Sequence, residues 1–360
     1  MIAKLQPNRV RRTYLGGGRI DAFTGAINHV PPATETPHTG GSQLVATADA
    51  INCVPPMPMP EDWMASTTTA FNGTLEIEGE GLGRLEDGRL VKDVVGTLPI
   101  LVKLLDSDER LVIQAHPTVP CAKRLFNSPV GKTECWYFLE GTASDACVYL
   151  GFKPGITREK WKTAFEAQDG LLDMLHRIPV KAGDFVFVDG GMPHAIGGGC
   201  FMIELQEPSD LMVVAERVTP SGRRIPDAKM HGGVGWKKMF EVYEYEGRTF
   251  EETCARYVRR AAETVAPHAG GSQLVATAAD AINCVPPVTQ ILGPELTDKF
   301  SMWRVAGGGI LSLPRDRAVA VVTEDAGEVN GLAVKKGDRL VVADERQLNV
   351  AGTATLIVCA

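Results

Sequence analysis

Several things are scarce in this sequence, and each shortage narrows what the protein can be. No apolar stretch approaches the ~18 residues of a membrane span, so no membrane partner is expected. The start, MIAKLQPNRVRRTYLGGG, lacks the apolar centre and small-residue cleavage site of a secretory signal, so the chain is expected to be cytoplasmic. No basic run offsets the acid excess: 37 Lys+Arg against 44 Asp+Glu leave a net charge of −7. A nucleic-acid partner held by phosphate neutralisation wants the opposite sign and is not expected. None of the eight cysteines forms a C-x-x-C pair, and a cytoplasmic chain keeps thiols reduced. They read as small apolar packing residues. Sustained 3.6-residue periodicity is scarce too, whereas 38 glycines and 23 prolines supply turns, a balance that favours many short strands.

At about 150 residues per domain, 360 residues suit two domains. One internal repeat interrupts them. Residues 37–56 read PHTGGSQLVATADAINCVPP and residues 267–287 read PHAGGSQLVATAADAINCVPP. Old structural repeats drift at their surface positions, and these have not. Segments 33–56 and 267–287 therefore read as loop insertions, where added length costs little entropy, with a paired functional element as the competing reading.

Elsewhere the segments are short and β-like. LPILVKLL (98–105) and RLVIQAHP (110–117) read as two strands around Asp-Ser-Asp, and CWYFLEGT with ACVYLGF as the next pair. Residues 157–178 form the clearest helical pattern, apolar at 161, 165, 171, 172 and 175, with Thr157 as N-cap. GDFVFVDGGMPHAIGGGCFMIELQE returns to strand, glycine turn and strand. The expected division is a catalytic unit over 1–245, a linker over 246–287 and a smaller β unit over 288–360. Leu-Gly-Gly-Gly at 15–18 lacks a Walker lysine and a following helical pattern, and reads as a turn.

Seven histidines are few, and the last β unit has none. Three pieces carry chemistry. Gln114-Ala-His116-Pro117 ends a strand, where residues two apart share a face. Gly131-Lys132-Thr133-Glu134 enters the next strand. Gly183 through Gly191 to His194 is a strand and a glycine turn that deliver a histidine. Two imidazoles, a carboxylate and an amide oxygen suit Zn²⁺ or a similar divalent ion.

The Gly-x7-Gly-x2-His spacing of Gly183, Gly191 and His194 is similar to the second cupin motif, and Gln114-x-His116…Glu134 to a variant of the first. With PNRVRRTYLGGGRID, LPILVKLLD, IQAHP, GKTECWYFLEG and MPHAIGGG, the chain resembles type I phosphomannose isomerase over most of residues 5–220. The resemblance implies a mainly β, double-barrel cupin (bicupin) fold with a helical insertion in or beside the first barrel and a degenerate second barrel. It implies one Zn²⁺ per chain, held by Gln114, His116, Glu134 and His194. The activity implied is aldose–ketose interconversion of mannose 6-phosphate and fructose 6-phosphate. Lys132 matches a lysine of the family's cleft, and Glu204 its candidate proton-transfer carboxylate in the E-x4-SD pattern ending at Ser209-Asp210.

Two positions depart from the family: Val112 stands where it has a phosphate-binding serine, and Val214 where it has an arginine. Arg217 can supply the missing guanidinium as a catalytic and substrate-binding residue, with Arg223 and Arg224 following it. Lys103, Ser66 and Thr67–Thr69 are further candidates for substrate contacts, and His231 is an ambiguous neighbour. The departures keep two rivals open: an isomerase or epimerase of a different or unphosphorylated sugar, and a non-catalytic sugar-binding cupin. Oligomeric state is not legible.

Overall fold

Alternation sets the architecture. In the computed structural model, which describes residues 1–25, 58–71, 77–261 and 286–360, the apolar runs become strands of four antiparallel sheets. The two repeat copies, with Cys53, Cys284, His29, His38 and His268, lie outside the described residues apart from Pro286 and Pro287. The chain is mainly β, as expected.

The first unit pairs a seven-stranded sheet with a five-stranded one. The larger runs in the order Val258–Arg259, Phe185–Val188, Glu134–Phe138, Cys200–Gln206, Leu101–Ser107, Glu61–Met64, Arg9–Val10. The smaller runs Val213–Val214, Gln114–Ala115, His194–Ile196, Cys147–Phe152, Leu175–Pro179. Trp136, Phe138 and Met202 of one sheet share an apolar core with Val148, Ile178 and Ile196 of the other. The outer face of the smaller sheet carries Ala115, Phe152 and Ala195, and Trp161 and Phe165 of the helix Arg158–Ala167 pack on it.

The C-terminal unit repeats the plan without histidine. Along Arg317–Glu324, Ala318, Ala320 and Val322 face the unit's own core, while Val319 and Val321 join the first unit's core. Period-two alternation in which both sets are apolar places this sheet between two cores.

The structure departs from the sequence reading in four places. The helical pattern over 157–178 stops at Ala167. Gln168 takes a left-handed conformation (φ 54°) and its amide donates to the carbonyls of Phe165 and Ala215. Leu175 and His176 then pair with Phe152 and Leu150, so tertiary strand pairing overrides the local helical period. Second, the expected linker from 246 is structured as far as Ala261. A capping box between Thr249 and Glu252 starts the helix Phe250–Tyr257, and Val258–Arg259 pairs with Phe185–Val186 of the first unit. Third, Ile2–Lys4 is not part of the first unit's sheets; Ile2 pairs opposite Val342 and covers the edge of the C-terminal sheet. A short helix, Arg19–Thr24, also follows the glycine turn at 16–18.

Candidate active site

The strand registers decide what meets. His194 lies opposite Gln114 on the neighbouring strand. In the larger sheet, Gln206 lies opposite Glu134, Glu204 opposite both Trp136 and Lys103, and Lys103 opposite Trp63. Directly opposed residues point to the same face. One face therefore carries Glu134, Glu204 and Lys103 together.

Glycine geometry brings in the histidines. Gly183 and Gly191 both take positive φ, 83° and 87°, which explains their place in the motif. Gly191 N–H donates to the His116 carbonyl at 2.6 Å, tying the turn before His194 to the strand end that carries His116. A Cβ on Gly191 would run into the Glu244 side chain.

His116, Glu134 and His194 are fully buried, with one donor atom from each inside a 4.8 Å span. His116 Nδ1 donates to the Leu211 carbonyl at 2.9 Å and His194 Nδ1 to the Met192 carbonyl at 3.0 Å. Burial, and for His116 also the Lys132 ammonium, holds both imidazoles neutral: His116 is lowered to about 4 and His194 is lowered too. Each Nε2 then presents a lone pair toward the Glu134 carboxylate, at 3.2 Å and 3.3 Å. Burial alone would raise Glu134, but Lys132 and His116 hold it well below the usual carboxylate range.

Acceptor facing acceptor in a buried site repels unless a cation lies between. Lys132 meets part of that need, its Nζ 2.7 Å from His116 Nε2 and 2.6 Å from Glu134 Oε2. Glu134 Oε1 and His194 Nε2 remain buried with no hydrogen-bond partner. Two oriented neutral imidazoles, a carboxylate and unsatisfied donor atoms fit a small divalent cation, with the backbone carbonyls fixing the imidazole tautomers.

A cleft adjoins the cluster, lined by Gln114 and Lys132 on that side and by Lys103 and Glu204 farther along. Lys103 Nζ donates to Glu204 Oε1 at 2.6 Å, both side chains nearly inaccessible. Beside them lies an ionic network that sequence reasoning missed. Arg12 grips Asp210 through two 3.0 Å bonds and Glu61 at 2.9 Å, and Tyr14 hydrogen-bonds Glu61. Although burial opposes it, Arg12 and Lys103 hold the Glu61 carboxyl well below its ordinary range. Arg12 and Tyr14 sit in the PNRVRRTYLGGG motif, which could have flagged them; Glu61 had no local signal.

Other candidates go elsewhere. The Arg217 guanidinium stacks over Phe165 at 5.0 Å and Trp236 at 5.3 Å, lining a separate surface pocket. Its backbone N–H donates to Gln168 Oε1 at 2.7 Å, at the end of the helix Arg158–Ala167. Ser66 spends its hydroxyl on Thr68 backbone, Thr67 accepts from Leu98 N–H, and Thr69 lines a neighbouring pocket. Arg223 pairs with Glu109, and Arg224 is exposed in a turn opposite Val218. His231 accepts from Gly233 and Gly235 N–H, capping its own loop. Val112 and Val214, the two departures, both line the cleft.

No family model matches the chain. It is 36% identical over 146 residues to mannose-6-phosphate isomerase ManA of Bacillus subtilis, 41% of this chain and 44% of that protein. The chain spans 35% and 44% of the first curated relatives it matches. The crystal structure of the mannose 6-phosphate isomerase from Bacillus subtilis superposes with a TM-score of 0.64 at 19% identity, covering 100% of this chain and 99% of that one. A mannose 6-phosphate isomerase bound with zinc and yttrium superposes at 0.60 and 15% identity, covering 99% and 98%. No helix among the described residues is long and apolar enough to cross a membrane. In sequence and in fold, the chain resembles the type I phosphomannose isomerases.

Proposed function

We propose that the cleft houses a zinc-dependent aldose–ketose isomerase acting on mannose 6-phosphate and fructose 6-phosphate, with one Zn²⁺ per chain. The observation that carries this is the convergence of His116, Glu134 and His194 beside a cleft that also holds the buried Lys103–Glu204 pair. Gln114, opposite His194, supplies the fourth ligand. Zinc, when bound, supplies fixed positive charge next to the substrate oxygens.

Moving a carbonyl from C1 to C2 requires a base that removes a proton from C2 and returns it at C1. Glu204 has the position for that role, and its partner Lys103 keeps it oriented. Lys103 and Lys132 present ammonium protons to the cleft, where they stabilise negative charge on O1 and O2 of the enediolate. The surrounding burial excludes bulk water and strengthens these charges.

One observation favours a second reading. Val112 and Val214 present apolar walls where a hydroxyl and a guanidinium would hold phosphate, which suits an unphosphorylated sugar. A coupled assay with both sugars, with and without chelator, separates the cases. Chelator-sensitive turnover of mannose 6-phosphate supports the proposal. Turnover of free sugar alone supports the second reading, and sugar binding without turnover makes the protein a non-catalytic cupin.

A further inference from the structure

Thr133 lies between two residues of the candidate site, and the three divide between two sides of the chain. Lys132 meets His116, and Glu134 meets both His116 and His194. Thr133 turns the other way, as alternation on extended backbone requires, and is clamped there. Glu207 N–H donates to the Thr133 carbonyl at 3.0 Å, and Thr133 N–H donates to Glu207 Oε2 at 2.9 Å. The Lys299 ammonium closes the cluster, donating to Thr133 Oγ1 and to Glu207 Oε2, each at 2.6 Å. Thr133 and Glu207 are buried, and Lys299 supplies the counter-charge of the Glu207 carboxylate.

Lys299 comes from the C-terminal unit, 166 positions from Thr133. Its mounting is firm: Phe300, the next residue, is 1% exposed in the apolar core, and the strand Met302–Val305 follows. Thr133, Glu207 and Lys299 are not among the residues that line the cleft; Thr133 and Lys299 instead line a separate cavity with Tyr257 and Arg248. We infer that Lys299 is a positioning residue: through Glu207 and Thr133 it fixes the entry to the strand Glu134–Phe138, so that Lys132 and Glu134 keep their places at the cation site. The C-terminal unit, which has no histidine, thereby takes part in building the metal centre. The inference rests on the metal site of the isomerase reading. Charge-assisted bonds in a buried setting supply the stiffness. Without Lys299 the Glu207 carboxylate keeps the Thr133 N–H but loses its counter-charge, and its pull toward water displaces Thr133.

Zinc affinity, read by competition with a chromophoric chelator, tests the inference without any turnover. Lys299→Met removes the charge and keeps an unbranched chain. Its zinc affinity should fall about tenfold or more, the ordinary effect of losing support behind a metal ligand, and Lys299→Arg should restore most of it. Leu348→Ala, in the C-terminal unit's own core, is the control. It should lower the thermal midpoint yet leave zinc affinity within about twofold, because the cavity it opens does not reach Thr133. Zinc binding that depends on Lys299, in a protein that does not turn over mannose 6-phosphate, upholds the positioning role and removes the isomerase reading. Turnover with zinc affinity unchanged in Lys299→Met removes the positioning role and leaves the isomerase. An equal loss of affinity in Leu348→Ala, no recovery in Lys299→Arg, or an unaltered protein that takes up no zinc also overturns the assignment. If Lys299→Met does not fold, Thr133→Val decides, since it removes the hydroxyl and leaves Lys299 paired with Glu207. Its zinc affinity should fall about threefold or more, one hydrogen bond's worth, and an affinity equal to that of the unaltered protein overturns the assignment.

Discussion

Lys103 and Glu204 stand directly opposite one another on neighbouring antiparallel strands, with Nζ 2.6 Å from Oε1. The pair is buried, so each charge depends on the other. It also joins the candidate proton carrier to the ionic network of Arg12, Glu61 and Asp210, since Lys103 lies 3.8 Å from Glu61 Oε2. The proposed chemistry and the fold's internal electrostatics therefore share a residue.

Breaking that pair should cost both stability and rate. Lys103→Met leaves Glu204 charged and alone, and is expected to lose about 3–5 kcal/mol by denaturant titration. Glu204→Gln should lower kcat roughly 10²-fold or more, the ordinary worth of a general base. A Glu204→Gln enzyme within twofold of normal kcat would remove the proton-transfer role.

His194→Ala removes one of the three convergent donors. Elemental analysis of the purified variant should find zinc reduced to a small fraction of that in the unaltered protein. Stoichiometric zinc with full turnover would sink the ligand assignment.

Gly191→Ala tests the turn rather than the ligands. Its positive φ and the Glu244 side chain where a Cβ would go both oppose alanine. A loss of about 1–3 kcal/mol is expected, together with weakened metal retention, because Gly191 N–H anchors the His116 carbonyl. Unchanged stability and metal content would show that the motif glycine is dispensable here.

The Glu61 carboxyl is held below its ordinary value of 4.5 chiefly by Arg12 and Lys103 against the opposing effect of burial. Its stabilising contribution is thus complete above pH 4.5 and drains away as the pH falls below it, since the unfolded chain binds the proton first. Glu61→Gln should have a lower thermal midpoint at pH 7, and the gap from the unaltered protein should narrow progressively below pH 4.5. A gap that stays constant across that range would contradict the ionic role.

Arg217→Ala should leave turnover within about twofold and cost about 1 kcal/mol, the worth of a guanidinium stacked on aromatic rings. A large rise in KM would return Arg217 to the cleft.

The cluster that could hold a metal was legible in sequence because its residues lie in local motifs whose spacing has a backbone cause. Gly183 and Gly191 need positive φ, and Gln114 and His116 flank a strand end. The strands of the first unit were legible for the same reason, as apolar runs bounded by turns. The helix end at Ala167 was not, because Leu171, Leu172 and Leu175 keep a helical period while pairing with Phe152 and Leu150 draws the chain into a strand. Nor was the N-terminal strand, whose partner lies some 340 residues away.

Alternation and turn chemistry, which act between near neighbours, determined from the sequence alone that the chain would be mainly β and that two histidines and a glutamate would be candidate ligands. Only the tertiary structure decided which charges are spent. Arg12 meets Asp210 across 198 positions, Lys103 meets Glu204 across 101, and Lys299 meets Glu207 across 92. Pairing of charges depends on distance through space in a low-dielectric interior, and no pattern of neighbours along the chain encodes it.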